Sequence, residues 1–203
     1  MSETTGRREL NKARTRQALI AATRELARER GLGAVTVEDI AERAGVSRRT
    51  FFNYFPNIEG VVAAGLAAPL ERIAAAFLRR PAEEEPLTAI AAALREEPID
   101  AEILLGWMPE NPAESPHGLE LHLRVWQHHE EWLVGVLRRR LGDEDELRVR
   151  SLAAAVMAMF ETVEHAWLPT LPERTPEEAV AAFNQGLLQV LAHAEAGWRR
   201  PTP

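Results

Sequence analysis

Between Val35 and Glu59 the chain reads VTVEDIAERAGVSRRTFFNYFPNIE, and the glycine near its centre leaves few folds open. Thr36, followed three residues later by Asp39, has the form of a helix-capping box, with Asp in place of the usual Glu or Gln. Glu38 and Asp39 also suit the positive start of a helix. This predicts a short helix over about Val37–Ala44. Gly45 permits a backbone reversal, Val46 offers an apolar plug, and Ser47 can cap a second helix. Phe51 and Phe55, four residues apart, share a face that can pack inward. Two short helices across a three-residue turn make a helix-turn-helix.

The rest of the chain reads as all-α. Breakers fall at Gly31–Gly33, Gly45, Pro56, Pro81–Pro86, Pro98, Gly106–Gly118, Gly142–Glu146 and Pro169–Pro176, and the segments between them are rich in Ala, Leu, Glu and Arg. Leu19, Ala22, Thr23 and Leu26 recur at helical spacing, so a first helix should end at Arg30, with Gly31 as a left-handed cap. Val62, Leu66, Leu70, Ile73 and Phe77 repeat the pattern in a fourth helix, where Pro69 removes the hydrogen bond to Gly65 and should bend the helix near Leu66. Such a bend serves either as a fixed packing feature or as a hinge. Leu152, Ala155, Val156, Met159, Phe160, Val163 and Trp167 form one apolar stripe. Ala179, Phe183, Gly186, Leu187, Val190 and Ala194 form another. Ala153–Ala155, Ala182 and Gly186 are small enough to let helices approach closely.

Charge divides the chain. Residues 1–56 hold eleven Lys/Arg against seven Asp/Glu, and the remainder thirteen against twenty-four, within a net charge of −7. A basic head on an acidic body suits a polyanion-binding module joined to something else. The absence of cysteine excludes disulfides and thiolate chemistry. The N-terminal stretch lacks the apolar core of a signal peptide, and no run approaches ~20 uninterrupted apolar residues. A cytoplasmic protein without a membrane span is the expectation.

The second helix of the motif carries the chemistry. Arg48, Arg49, Thr50, Asn53 and Tyr54 crowd barely two turns. Arginine can donate two hydrogen bonds to a guanine edge and asparagine can pair with adenine, while Thr and Tyr hydroxyls can hold phosphates. An N-terminal helix ending in a glycine loop, then TVEDIAERAGVS, then RRTFFNYFP, resembles the TetR family of bacterial transcriptional regulators over roughly residues 12–60. The resemblance implies an all-α fold. A three-helix DNA-binding head (residues 1–56) would join a larger helical ligand-binding and dimerisation body (57–203). It implies a homodimer on a palindromic operator of double-stranded DNA, most often a repressor, released by a small-molecule effector. Thr36, Ser47, Arg48, Arg49, Thr50, Asn53 and Tyr54 occupy the positions at which family members usually touch DNA. Two positions depart from the family pattern. Phe52 stands where a tyrosine is common and Ile58 where a lysine is common, which removes two phosphate contacts. Anchoring then shifts onto Arg48, Arg49, Lys12, Arg14 and the N-terminal amides of the fourth helix.

In the body, Trp107, Met108, Trp126, Phe160 and His165 are candidates for an apolar ligand pocket. The resemblance also implies that the last two helices, about 146–168 and 176–198, pair with their copies across the dimer axis as a four-helix bundle. The histidines show no metal-binding spacing: His128 and His129 diverge by about 100° around a helix, and Pro116 interrupts the pair Glu114 and His117. No phosphate loop, nucleophile elbow or HExxH occurs, so no enzyme, metal or cofactor is expected. Two rivals remain on sequence alone. One is a helical small-molecule-binding or enzymatic protein with a vestigial head, the other an interaction module whose basic head meets an acidic protein.

Overall fold

Segments composed of Ala, Leu, Glu and Arg between the breakers are helical, as propensity requires. In this computed structural model residues 2–107, 116–142 and 145–198 are described, with 2–7, 116 and 117 described by backbone alone. Among the described residues there are nine α-helices and no strand: α1 Ser2–Arg30, α2 Val37–Arg43, α3 Arg48–Tyr54, α4 Ile58–Arg79, α5 Pro86–Glu96, α6 Ala101–Trp107, α7 Pro116–Leu141, α8 Glu146–Trp167 and α9 Pro176–Glu195. The chain divides into two units, Met1–Ala67 with Leu105–Val125, and Ala68–Leu104 with Trp126–Pro203.

The first unit is built around Leu19, Leu26, Val35, Ile40, Phe51 and Val61, all buried. α1 ends at Arg30 as its periodicity requires, but Gly31 differs from the expected cap. It combines a φ of 79° with a ψ of 145°, so it is extended rather than left-handed helical, and the chain enters a short 3-10 turn, Leu32–Ala34. Only the positive φ depends on glycine here. Arg43 pins α2 to α1, with its two guanidinium nitrogens 2.8 and 2.7 Å from the Glu29 carboxylate and one of them 3.4 Å from Glu25. α4 runs unbroken through Pro69. By length and composition α4 could cross a membrane. Its Val61, Val62, Leu66, Ala74, Ala76 and Phe77 are instead buried against protein.

In the second unit Phe77, Ile90, Val134, Leu137, Val149, Ala153 and Leu191 form a core. Arg140 ties off the end of α4. Its guanidinium donates to the carbonyls of Phe77, Arg80, Pro81 and Glu84 at 2.6–3.2 Å and lies 4.9 Å from the centroid of the Phe77 ring. Asn184 accepts from the Ile99 N–H at 2.9 Å and donates to the Ile99 carbonyl at 2.8 Å. A capping box of Thr175 and Glu178 starts α9. Gly186 lets α9 close on α8, since a Cβ there would lie 2.9 Å from Val163 Cγ1. Two expectations need correction. Ala155, a member of the apolar stripe of α8, is exposed within the chain and so is no part of its core, and Ala153 is the buried member of that small-residue run. The stretch from Gly106 to Gly118, given above as a breaker between helices, is helical at both ends, within α6 and α7.

Two helical glycines give a paired test. Gly135 has open space around its missing Cβ, so Gly135→Ala should stabilise the protein by about 1 kcal/mol through helix propensity. At Gly65 a Cβ would lie 2.4 Å from the buried Trp107 ring and 3.2 Å from Ile20. Overpacking of roughly 1–3 kcal/mol or more then outweighs the same gain. Thermal denaturation should move Tm up for the first variant and down for the second.

Candidate nucleic-acid interface

The interface is assembled by caps at both ends of the turn. The Thr36 hydroxyl accepts from the Asp39 N–H at 3.2 Å, and the Thr36 N–H donates to the Asp39 carboxylate at 3.0 Å, closing the box. Arg30 pairs with the same carboxylate. That guanidinium, and after it the hydrogen bonds from Thr36, hold Asp39 down to about 2. Gly45 has a φ of 67°, the left-handed value the reversal demands. Val46 is half-buried and its N–H donates to the Ala41 carbonyl at 2.9 Å. Ser47 Oγ accepts from the Thr50 N–H at 3.1 Å and shares a 2.8 Å hydrogen bond with the Thr50 hydroxyl.

Phe51 and Phe55 fix how α3 is rotated. Phe51 is fully buried and Phe55 nearly so, their ring centroids 6.2 Å apart. At about 100° per residue, Arg49 and Asn53 then lie opposite the buried face, Arg48 and Phe52 on one flank, and Thr50 and Tyr54 on the other. Exposure agrees: Ser47, Arg48, Arg49 and Asn53 are exposed, and Thr50 and Tyr54 are half-buried.

The side chains differ in what they have left to offer. Arg48 Nε lies 2.9 Å from Glu38, and its guanidinium carbon lies 5.4 Å from the Phe52 centroid. Thr36 is exposed, but its hydroxyl proton is given to Asp39, so it is an acceptor and a cap rather than a phosphate donor. Ser47 and Thr50 retain one hydroxyl proton between them. Arg49, Asn53 and Tyr54 make no hydrogen bond or ion pair among the described residues. Of the two departures, Phe52 packs edge-on to Phe51 at 5.4 Å while 45% exposed, and Ile58 is buried. The Asn57 side chain accepts from the Gly60 N–H at 2.9 Å, which occupies one of the α4 amides expected to meet phosphate.

The body candidates separate. Trp107 is buried in the first unit beside Gly65. Trp126 and Phe160 meet in the second, centroids 5.9 Å apart, and Phe160 packs in turn on Phe183 at 5.2 Å. His165 is exposed on α8, and Met108 lies outside the described residues. Glu164, which residue type alone did not single out, is only 5% exposed and one helical turn from Phe160. Burial, and then the charge of Glu161, pushes its carboxyl up to about 7. No group of metal-ligating side chains occurs among the described residues.

The family model for bacterial regulatory proteins of the tetR family matches residues 19–64. The HTH-type transcriptional regulator TcmR of Streptomyces glaucescens is 32% identical over 209 residues, covering 97% of this chain and 91% of TcmR. The chain belongs to the TetR family. It is thus a DNA-binding transcriptional regulator whose helix-turn-helix is α2 and α3. Similar solved structures include Thermus thermophilus FadR, a TetR family transcriptional repressor in complex with lauroyl-CoA. It is 21% identical, covers 93% of this chain and 98% of its own, and has a TM-score of 0.49. A TetR-family transcriptional regulator of Streptomyces coelicolor is 19% identical over 95% of each chain, with a TM-score of 0.46.

Glu164 gives this TetR-family chain a measurable pH signature. Its folded pKa of about 7 exceeds the ordinary 4.5, so the folded protein holds the proton more tightly and loses stability as pH rises through that window. Glu164→Gln removes the loss, and relative to the parent should gain on the order of 3 kcal/mol near pH 8 and close to nothing below about pH 4.5. His129, which burial pushes down to about 4, has the opposite trend but is common to both proteins and cancels in the difference. Urea denaturation at the two pH values checks it.

Proposed function

We propose that this regulator is a repressor that binds a palindromic operator as a homodimer and is released by a small-molecule effector. In this reading residues 1–56 bind DNA and 57–203 bind ligand and dimerise. The observation that carries it is the rotation of α3, with Arg49 and Asn53 outward and without protein partners. Arg49 and Asn53 read base edges. Arg48, Tyr54 and the remaining hydroxyl of Ser47 and Thr50 hold phosphates, and Thr36 supports them by fixing α2. Each copy supplies one recognition helix, and the twofold axis of the dimer matches that of the operator.

The exposed small and polar faces of α8 (Ala154, Ala155, Ala158, Thr162) and α9 (Ala181, Gln185, Gln189, Ala192) are the surfaces we assign to the dimer. We seat the effector in the second unit against Trp126, Phe160 and Glu164, an aromatic wall with one buried acid. Pro69 lies two residues beyond Ala67, where α4 leaves the first unit. Pro69→Ala should blunt the effector response on operator DNA if this proline serves as the bend.

Selection from a random duplex pool should yield a palindromic site. Binding to it should fall ~10³–10⁵-fold between ~50 and ~200 mM salt if each dimer neutralises about six to ten phosphates, while keeping its sequence preference. Arg49→Ala should cost roughly 1–3 kcal/mol and relax the preference at one position of each half-site, whereas Arg48→Ala should weaken all sequences alike and lower the salt slope. No selected sequence together with a flat salt dependence would refute the reading.

A further inference from the structure

α1 is 29 residues long, and from Arg8 onward it is exposed as far as Arg14 and packed only in the turns beyond. Leu19, Thr23 and Leu26 lie on its inner face and are 0%, 0% and 5% exposed. Followed toward the N-terminus at the same helical steps, that face continues as Arg16, Lys12 and Arg8. The stripe that holds the head together therefore turns cationic in the earlier turns. A helix face of this kind has no complement in an apolar core, and residues 8–14 are all exposed.

From Arg8 to Arg16 there are four cations and one acid, Glu9. Arg8, Lys12 and Arg14 make no ion pair among the described residues. Arg16 shows where the stripe leads, since its guanidinium carbon lies 5.2 Å from the centroid of Phe55, the residue that caps the C-terminal end of α3. From that point to Arg8 the helix rises about 12 Å, comparable to the axial rise of three or four base pairs of duplex. Two usual supports of a helix are missing over these turns. They bury no face, and Arg8, Lys12 and Arg16 follow one another at four-residue spacing, where like charges repel. A row of anions beside them supplies what is missing.

We infer that the early turns of α1 are a second DNA-binding element, a cationic arm that follows the phosphates of duplex flanking the half-site read by α3. The inference rests on the α3 reading and extends the footprint beyond the sequence that α3 recognises.

The test uses the full chain and the selected operator in two duplexes, one ending at the palindrome and one continued by about ten base pairs on each side. Fluorescence anisotropy is read across a salt series. The parent should bind the longer duplex more tightly. Arg8→Gln with Lys12→Gln should lose that advantage, keep its sequence preference, and show a log–log salt slope shallower by about 1.8 per chain, at about 0.9 per lost contact. Between ~50 and ~200 mM salt that is a loss of affinity roughly tenfold smaller per chain. Arg8→Lys with Lys12→Arg keeps both charges and should behave as the parent. Both pairs are exposed, and thermal melts confirm that the variants are folded.

A double Gln variant with unchanged flank advantage and slope overturns the arm while leaving the α3 reading intact. A parent that shows no preference for the selected operator over a scrambled duplex overturns both.

Discussion

The interface of this regulator depends on the burial of Phe51. A helix of seven residues is too short to stand alone in water, so α3 exists because the ring of Phe51 is driven into the head beside Phe55 and because Ser47 satisfies its first turn. That burial also sets the phase of the helix. Rotation by one residue step, about 100°, would turn Arg49 and Asn53 from the outward face toward a flank. In the proposed reading recognition is thus a by-product of packing: the apolar residues choose which polar ones are turned outward to meet a duplex. A substitution in the ring positions would disturb readout without touching any DNA-contacting group.

The head's net positive charge understates how its cations are divided. Arg30 and Arg43 are tied to Asp39, Glu29 and Glu25, and they hold α1 and α2 in register. Arg48 is held by Glu38 on the flank of α3. These pairs are exposed, and each contributes little to stability by itself. Their effect is to fix geometry and to leave Arg49, Arg8, Lys12 and Arg14 as cations without a protein counterion among the described residues. A polyanion approaching the head meets those first.

Much of the head was legible in the sequence because its determinants are local. A cap bonds to an amide three residues away, a turn glycine declares its own φ, and two phenylalanines four apart share a face whatever surrounds them. Thr36, Gly45, Ser47, Phe51 and Phe55 all lie within such a reach, and the structure places each as the pattern requires. The ties of Arg43 to Glu29 and of Arg16 to Phe55 were not legible, since they join residues 14 and 39 positions apart that only the folded head brings together. The surroundings of the ligand candidates were not legible for the same reason. Trp107, Trp126, Phe160 and His165 were chosen by residue type, and type does not say that Trp107 fills the space above Gly65 while His165 faces solvent.

The small residues of the last two helices show how one composition can serve two ends. Gly186 and Ala153 face inward, and the closeness of Val163 to Gly186 shows that the glycine brings α8 and α9 together within one chain. Ala154, Ala155 and Ala158 lie on the same helix at other angles and remain exposed. A run of alanines read from sequence carries no phase of its own, because any of its faces can be the inner one. Phase comes from the bulky neighbours Val149, Val163 and Trp167, which must be buried and so assign Ala153 to the core and the others to the surface. In the body, as in α3, the large apolar side chains decide the rotation and the small or polar ones inherit their roles from it.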